Sequence, residues 1–494
     1  GDRPERPRRP DSTLRHRPQP QEVLKMAAWW NQRSTFWMGV GVWTCCAASI
    51  AAAADWPRFR GPNGSGTSPD PQAPPTSWSP TERVKWKVAL PGPGSSSPIV
   101  AGNRIFLTCW SGYGVDQEGG RLEDLRRHLV CIDRRTGAIQ WKSSVAPDLP
   151  EDRYGGMFAQ HGYASHTPVT DGEHVYAYFG KSGAVAYDMD GKLLWQKKLG
   201  TELDPRGWGS ASSPILFQNL LIVTASAESE ALVALDKRTG EQVWRQEASG
   251  LNGTWGTPVL VEVDASRTDL VLGVPGEVWG FNPETGKLRW YCQIASADQY
   301  CASVVAADGV IYALEARGGG STAIRAGGDG DVTSTHVLWQ GKDANRISSP
   351  VVHEGRVYLV AGRVFKCLDA KTGDRLYQER LVGTSGEASA GGDASGGRAP
   401  GETRVGFGGR GGFGRGGGPG GSVEYASPIL AGGKIYITER NGDVFVVAAR
   451  ATFEQLAVNR VAAGTDDDYS ATPAASNGEL FLRSSRYLYC ISEK

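Results

Sequence analysis

The chain has 494 residues and carries 53 Lys and Arg against 53 Asp and Glu, so its formal net charge at neutral pH is zero. This balance excludes proteins that bind nucleic acid or anionic membranes through a strongly basic surface. The length fits one large domain or several smaller ones, and the motifs along the chain decide between them.

The N-terminal residues are typical of a segment removed on export. Residues 1–25 are rich in Arg and Pro and are predicted to be a disordered or spurious extension. Residues 26–54 contain Arg33, an apolar stretch and a final run of alanines, which predicts a signal peptide. A retained membrane anchor is the alternative. We therefore expect an exported protein, periplasmic or associated with the cell envelope, without a stable membrane span after cleavage.

A short strand-opening motif, Ser or Thr followed by Pro and apolar residues, recurs along the rest of the chain. Seven copies and the degenerate copy Ser303-Val304-Val305 place the second residue at positions 98, 168, 214, 258, 304, 350, 428 and 473. Five of the seven spacings lie within two residues of 45. Units of this length with four short strands predict an all-β fold, an eight-bladed β-propeller.

Most units contain a tight turn followed by a strand that carries a large aromatic residue. The turn reads Asp or Asn-x-x-Thr-Gly, as in Asp236 to Gly240, and the aromatic residue follows four positions later. A large ring at a fixed place in the repeat predicts packing between neighbouring blades, with ligand contact as the alternative. The predicted blade-packing residues are Trp86, Trp141, Trp195, Trp244, Trp290, Trp339 and Tyr377.

The two ends of the repeat predict how the ring closes. The last unit lacks its aromatic strand, whereas Val84–Leu90 precedes the first unit and contains Trp86. The N-terminal strand is therefore expected to complete the last blade, which removes two exposed sheet edges. Residues 55–494 then form one propeller domain with a glycine-rich disordered insertion at about 383–422.

The glycine-rich insertion contains Arg-Gly-Gly-Phe sequences of the kind that bind RNA by charge and stacking. An exported protein meets little RNA, so a flexible solvated loop is the preferred interpretation and no nucleic-acid partner is expected.

Six cysteines follow the predicted signal peptide. Three occupy one position of the repeat, where other units have Ala or Gly, and are predicted to be small core residues: Cys131, Cys367 and Cys490. An oxidising compartment permits disulfides. Two pairings are open, Cys109 with Cys131 and Cys292 with Cys301.

These motifs resemble the PQQ-like repeat superfamily, the quinoprotein alcohol dehydrogenase-like propellers. The resemblance rests on the Asp-x-x-Thr-Gly-x-x-x-Trp units, on their number and on the sequence DWPRFRGPNG at residues 55–64. It covers residues 55–494 and implies the fold. The superfamily includes dehydrogenases that use pyrroloquinoline quinone and cofactor-free members such as the BamB lipoproteins, which assist assembly of outer-membrane barrels. Fold alone does not choose between these functions.

The enzyme branch of the superfamily implies a particular set of residues. By that resemblance, the quinone stacks between a Trp and a disulfide of adjacent cysteines, Ca²⁺ is held by Glu and Asn, and an Asp acts as the base. The adjacent cysteines of this chain, Cys45 and Cys46, fall in the predicted signal peptide. We therefore expect a BamB-like propeller with no cofactor and no catalytic residues. A quinoprotein oxidoreductase that depends on pyrroloquinoline quinone and calcium is the alternative.

The predicted binding residues stand just before the Ser/Thr-Pro motifs. The first strand of a propeller blade lines the central channel, so these residues should gather at one mouth. They combine aromatics, one Arg, two His and two acids, a composition typical of interaction sites: His161, Tyr163, His166, Trp208, Trp255, Tyr300, Arg346, Glu424, Tyr425, Asp468 and Tyr469. A plug of the channel is the alternative. No third ligand accompanies His161 and His166, so no metal site is predicted.

Together these features predict an exported, monomeric propeller. It would act as a protein-binding or scaffold module, similar to an outer-membrane assembly factor, whose partner is an envelope protein or another macromolecule.

Overall fold

The computed structural model describes residues 55–115, 120–154, 161, 163–204, 206–295, 298–314, 320–345, 347–383, 425–462 and 467–493. The predicted N-terminal extension, the signal peptide and the glycine-rich insertion beyond Gly383 lie outside the described residues.

The described residues form eight sheets, the blades of an eight-bladed propeller, which confirms the predicted all-β fold. Blade 1 consists of β2 (Ile99–Ala101), β3 (Arg104–Ser111), β4 (Arg126–Asp133) and β5 (Ile139–Val145), and blade 2 of β6 (Val169–Thr170), β7 (His174–Tyr178), β8 (Ala184–Asp188) and β9 (Leu193–Lys197). Blade 3 consists of β10 (Ile215–Phe217), β11 (Leu220–Ala225), β12 (Ala231–Asp236) and β13 (Gln242–Glu247). Blade 4 consists of β14 (Val259–Asp264), β15 (Arg267–Val274), β16 (Glu277–Phe281), β17 (Leu288–Gln293) and the short β21 (Gly330–Asp331).

Blade 5 consists of β18 (Val305–Ala307), β19 (Val310–Leu314), β20 (Ser321–Arg325) and β22 (Val337–Gly341), and blade 6 of β23 (Val351–His353), β24 (Arg356–Ala361), β25 (Val364–Asp369) and β26 (Arg375–Arg380). Blade 7 consists of β27 (Ile429–Ala431), β28 (Lys434–Thr438), β29 (Val444–Ala448) and β30 (Gln455–Asn459). Blade 8 consists of β31 (Ala474–Ser476), β32 (Glu479–Arg483), β33 (Tyr487–Ile491) and β1 (Val84–Ala89). The loops that lead into the first strand of each blade define the upper face. The turns between first and second strands define the lower face.

Helical segments are short in this part of the chain. Single α-helical turns are α1 (Ser226–Ser229) and α2 (Thr333–His336), and 3₁₀ turns cover Pro62–Gly64, Leu122–Asp124, Gly180–Ser182 and Ser249–Leu251. Among the described residues, no helix has the length and apolar character needed to cross a membrane.

The N-terminal strand closes the ring as the sequence predicted. β1 pairs antiparallel with β33, placing Trp86 opposite Cys490, and becomes the fourth strand of blade 8. The buried carboxylate of Glu479 strengthens this junction, because it accepts from Lys85 on β1 and from Arg134 of blade 1, each at 2.7 Å.

The Ser/Thr-Pro motifs form a hydrogen-bonded ring around the channel. Seven of the eight Ser or Thr residues donate their backbone N–H to the side-chain oxygen of the equivalent residue in the next blade. Seven such bonds, with N···O distances of 2.9–3.0 Å, join in order Ser97, Thr167, Ser213, Thr257, Ser303, Ser349, Ser427 and Thr472. The Ser97 oxygen has no hydrogen-bond partner among the described residues, so the ring is open at the junction of blades 8 and 1.

The indole rings of the fourth strands dock on the turn of the following blade. Their Nε1 atoms donate to turn carbonyls at 2.9–3.0 Å, and each ring covers the turn glycine, for Trp86, Trp141, Trp195, Trp244 and Trp339. Blade 5 lacks the Thr-Gly turn, so Trp290 donates instead to Asp269 of its own blade at 2.7 Å, and β21 pairs alongside β17. Tyr377 donates to the Arg450 carbonyl at 3.4 Å.

The cysteines at the repeated position are small core residues. Cys131, Cys367 and Cys490 are buried, and each lies opposite the aromatic residue of the adjacent fourth strand. Loss of hydration raises the pKa of the Cys131 thiol to about 12, which keeps it protonated and unreactive at neutral pH.

Neither of the two open disulfide pairings forms among the described residues. In the first pair, Cys109 lies opposite His128, three positions before Cys131 along β4. In the second, Cys292 is buried within β17 whereas Cys301 belongs to the loop that leads into β18.

Residues 55–78 cross the lower face as a segment that we call the strap. Trp56 and Val100 of blade 1 exchange two backbone hydrogen bonds of 2.9 Å. Farther along the strap, Gly66 accepts the N–H of Leu430 in blade 7 at 2.7 Å. The strap therefore ties together blades that are distant in sequence.

Candidate functional site

One cluster at the upper face brings together side chains from four blades. His161 precedes blade 2 and stacks on Tyr425, which precedes blade 7; the ring centroids are 4.6 Å apart and the planes are inclined by 15°. The hydroxyl oxygen of Ser95, ahead of blade 1, lies 3.4 Å from His161 Nδ1. Arg440 lies over the Tyr425 ring, with its guanidinium carbon 5.1 Å from the centroid.

The Arg440 guanidinium is held in place by Asp468, which precedes blade 8. Arg440 Nε donates to Asp468 Oδ2 at 2.8 Å, and Ser470 donates to the other carboxylate oxygen. Both side chains remain partly exposed, at 34% for Arg440 and 19% for Asp468. A fixed cation beside an aromatic ring offers a partner both charge and a stacking surface.

His161 is neutral at physiological pH. Burial lowers its pKa to about 4; the Asp468 carboxylate acts in the opposite direction, and Arg440 adds to the lowering. The ring therefore contributes stacking and hydrogen bonding to the cluster rather than positive charge.

A second aromatic cluster lies between blades 3 and 4. The rings of Trp208 and Trp255 are 5.2 Å apart at their centroids and inclined by 43°. The guanidinium carbon of Arg206 lies 5.8 Å from the Trp255 ring centroid. Both indoles are partly exposed, and Trp255 Nε1 donates to the Gly209 carbonyl at 2.7 Å. These residues have the composition of an interaction hot spot.

Asp204 shapes the loop that presents this second cluster. Its carboxylate accepts the backbone N–H groups of Arg206, Trp208 and Gly209 at 3.0, 2.6 and 2.8 Å. Arg206 also donates to the side chain of Asn252 at 2.7 Å, so it is fixed on both sides. The cluster is thus preorganised, which lowers the entropy lost on binding.

Four of the predicted mouth residues are buried in the core: Tyr163, His166, Tyr300 and Tyr469. Tyr163 donates to the Asp152 carbonyl at 2.7 Å. His166 Nε2 lies 3.1 Å from Ser210 Oγ, and burial lowers the pKa of this histidine to about 3. These side chains hold the upper loops from below. Arg346 and Glu424 lie outside the described residues.

The described part of the mouth contains no group of three His, Cys, Asp or Glu side chains placed to hold a metal ion. Asp468, the acid of the first cluster, is paired with Arg440.

Comparisons with known proteins point to one family. Residues 126–379, just over half of the chain, match a family model described as outer membrane protein assembly factor BamB. The chain belongs to this family of PQQ-like propellers. The match runs from β4 to β26 and so covers most of blades 1 to 6.

Individual relatives match this chain at low identity and carry two different names. BamB of Yersinia pestis is 26% identical over 48% of this chain and 57% of its own length. Polyvinylalcohol dehydrogenase of Sphingopyxis sp. (strain 113P3) is 22% identical over 45% of this chain and 36% of its own length. The match thus spans between about a third and somewhat over half of these relatives.

A solved structure extends the likeness of the fold over the propeller. A europium-containing methanol dehydrogenase superposes with a TM-score of 0.59 at 11% identity, over 89% of this chain and 98% of the other. At this identity the likeness concerns the fold alone.

Sequence reasoning missed the two arginines that complete the clusters, Arg206 and Arg440. Arg206 stands two residues before Trp208, whereas Arg440 follows a second strand and is separated from the Ser/Thr-Pro motif of its blade. The loop after the second strand of each blade also lies on the upper face, and considering it together with the loop before the first strand would have included Arg440.

Proposed function

We propose that this chain is an exported, non-catalytic propeller that binds an envelope protein, acting as a scaffold in the manner of an outer-membrane assembly factor. The observation that carries the proposal is the fixed Trp208–Trp255–Arg206 cluster on the upper face. Partly exposed tryptophans beside an arginine are the residues that dominate protein interfaces.

The arrangement of the two faces supports a partner that approaches from above. The strap occupies the lower face and bonds to Val100 and Leu430. On the upper face, the His161–Tyr425 stack and the tryptophan pair belong to different groups of blades. A protein segment that touches both clusters would bury aromatic surface at two separate anchors.

The test is site-specific photo-crosslinking in cells from position 208. We expect a crosslink to one defined outer-membrane assembly protein, and we expect Trp255→Ala and Arg206→Ala each to reduce its yield at least about tenfold, as loss of a hot spot does. Binding of the purified partner, measured by calorimetry, should weaken by the same factor.

The matched control is Leu288→Ala, which truncates a side chain that is 46% exposed on the outer strand β17. This variant should crosslink as the original chain does. Urea unfolding of all variants checks that the fold is intact. Equal crosslinking by the mouth variants and the control would show that the tryptophan cluster is not the binding site.

An oxidoreductase is the second candidate, because one curated relative is named polyvinylalcohol dehydrogenase. Its test is an absorbance spectrum after incubation with pyrroloquinoline quinone and Ca²⁺, followed by gel filtration. Retention of one quinone per chain would favour this second function over the scaffold.

A further inference from the structure

Two buried arginines of the strap reach the central channel from the lower face. Arg58 Nη2 donates to the Pro258 carbonyl at 2.9 Å, and Arg60 Nη2 donates to the Pro350 carbonyl at 2.5 Å. These prolines open the innermost strands of blades 4 and 6, directly after members of the Ser/Thr ring. Both guanidinium groups therefore lie among the strands that line the channel.

Neither arginine has an opposite charge among the described residues. Arg58 is 6% exposed and Arg60 is fully buried, yet neither forms an ion pair there. Arg58 Nε, Arg60 Nε and Arg60 Nη1 also have no hydrogen-bond partner within that part of the chain. A buried guanidinium without a counter-charge is strongly unfavourable.

Two other buried arginines of this protein are neutralised by carboxylates. Arg127 donates to Glu151 and Arg134 donates to Glu479, each at 2.7 Å. Arg483, on β32, is buried without an ion pair among the described residues, but it donates to the carbonyl and the hydroxyl oxygen of Ser96 at 2.6 Å. In the channel the corresponding carboxylate is missing among the described residues, which leaves positive charge and unused donors together.

We propose that the central channel binds a small inorganic anion, a halide or an oxyanion, at the unused N–H groups of Arg58 and Arg60. The unused N–H groups donate to the anion, and its charge balances the two guanidinium groups. Burial lowers the pKa of Arg58 to about 10 and that of Arg60 to about 9, so both arginines remain positively charged at neutral pH.

The strap is shaped to hold Arg60 in this place. At Gly66, with φ of +76°, an added Cβ would lie 2.4 Å from Arg60 Nη2. At Gly61, with φ of +70°, it would lie 2.7 Å from the Trp56 ring. Both positions need glycine for the backbone and for the close approach of a side chain.

The first test measures thermal stability of the full chain, dialysed into a buffer without small anions, as chloride, bromide, phosphate or sulfate is added. We expect a saturable rise in Tm of about 2–4 °C at roughly millimolar anion, on top of the linear effect that salts have on most proteins. The anion that saturates at the lowest concentration distinguishes a halide site from an oxyanion site.

Variants connect this response to the channel. Arg58→Met and Arg60→Met should each remove the saturable phase. Arg134→Met, a buried arginine with a carboxylate partner, should lower Tm while the anion response stays as in the original chain. Absence of a saturable phase in the original chain, or its persistence in the Arg58→Met/Arg60→Met double variant, overturns the proposal.

A bromide-soaked crystal of the unmodified protein gives an independent answer that does not depend on variants. An anomalous peak within hydrogen-bond distance of the unused N–H groups of Arg58 or Arg60 is expected for a halide site, and phosphate soaks should give tetrahedral density there for an oxyanion site. Density for water alone in both soaks overturns the proposal.

Discussion

The imidazole of His161 stacks on the ring of Tyr425, although their blades, 2 and 7, are separated by two others in the closed ring. The contact joins the beginning of the propeller to its end on the upper face. The same loop carries a second histidine, His166, which is buried beside Ser210; burial lowers the pKa of both histidines.

The two histidines should make the protein less stable in mildly acidic solution. Burial lowers the pKa of His161 to about 4 and that of His166 to about 3, whereas an unfolded histidine has a pKa of about 6.5. Below about pH 6.5 the unfolded chain therefore binds more protons, and the free energy of unfolding falls by up to about 1.4 kcal/mol per pH unit for each histidine.

The slope of the free energy of unfolding against pH is measured from urea midpoints between about pH 4.5 and 7.5. His166→Gln should reduce it by about a third, since burial also lowers the pKa of a third histidine, His128, to about 4. His353→Gln, on β23 away from the mouth, is the control. The same slope in the His166→Gln variant and the original chain would contradict the assignment.

The Ser/Thr ring predicts unequal effects for two chemically identical substitutions. Ser213→Ala removes the oxygen that accepts the Thr167 N–H at 3.0 Å, which leaves a buried amide unpaired and should cost about 1–3 kcal/mol. Ser97→Ala removes an oxygen without a hydrogen-bond partner among the described residues and should cost no more than about 0.5 kcal/mol. Urea unfolding measures both, and equal losses would show that the ring bonds contribute nothing.

The docking of indoles on turn glycines can be separated from backbone strain. Gly240 and Gly309 both have φ of +73°, but an added Cβ would lie 2.7 Å from the Trp195 ring at the first position and meet nothing within 4 Å at the second. Gly309→Ala should cost about 1–2 kcal/mol for the left-handed backbone alone. Gly240→Ala should cost about 1–3 kcal/mol more because the indole must move.

Calorimetric or urea unfolding of the two glycine variants measures that difference. Tryptophan fluorescence should also change for Gly240→Ala and stay constant for Gly309→Ala. Equal destabilisation of the two variants would mean that the Trp195 ring moves aside with no loss of unfolding free energy.

The ion pairs of Glu479 should stabilise the closed ring. Glu479→Gln leaves the Arg134 guanidinium, which is 6% exposed, without its carboxylate, and should cost about 3–5 kcal/mol. The exposed pair of Arg450 and Glu454 is the control, because Glu454→Gln should cost less than about 1 kcal/mol. Urea unfolding with limited proteolysis near β1 reports whether the loss is centred on the junction.

The sequence was sufficient to predict the fold because its strongest patterns are repeated. The Ser/Thr-Pro spacing indicated eight blades, and the misplaced Trp86 indicated which strand closes blade 8; the sheet order agrees with both. The hydroxyl ring was not predicted, although Ser303 keeps its hydroxyl where the motif loses its proline. That detail could have revealed that the Ser or Thr, as well as the Pro, has a role.

The candidate site was predictable only in part, because position in a repeat does not determine burial. Trp255 and Tyr300 stand two and three residues before the Thr or Ser of their motifs, yet Trp255 is partly exposed and Tyr300 is 1% exposed against Gly273. The difference depends on which neighbour is small enough to admit the ring. Arg58 and Arg60 were recognisable as part of a motif, but their reach across the channel depends on contacts 200 and 290 residues away.

The strap and β1 are synthesised before the blades that they contact. The backbone N–H of Asn477 donates to the carboxylate of Asp70, 407 positions earlier, and β1 pairs with Tyr487–Ile491. Until blades 7 and 8 have been synthesised, the strap lacks its partner in blade 7 and β1 lacks its partner strand β33. Such long-range closure makes folding slow. A chain cut short before residue 487 would have open sheet edges, which promote aggregation, rather than a smaller but sound propeller.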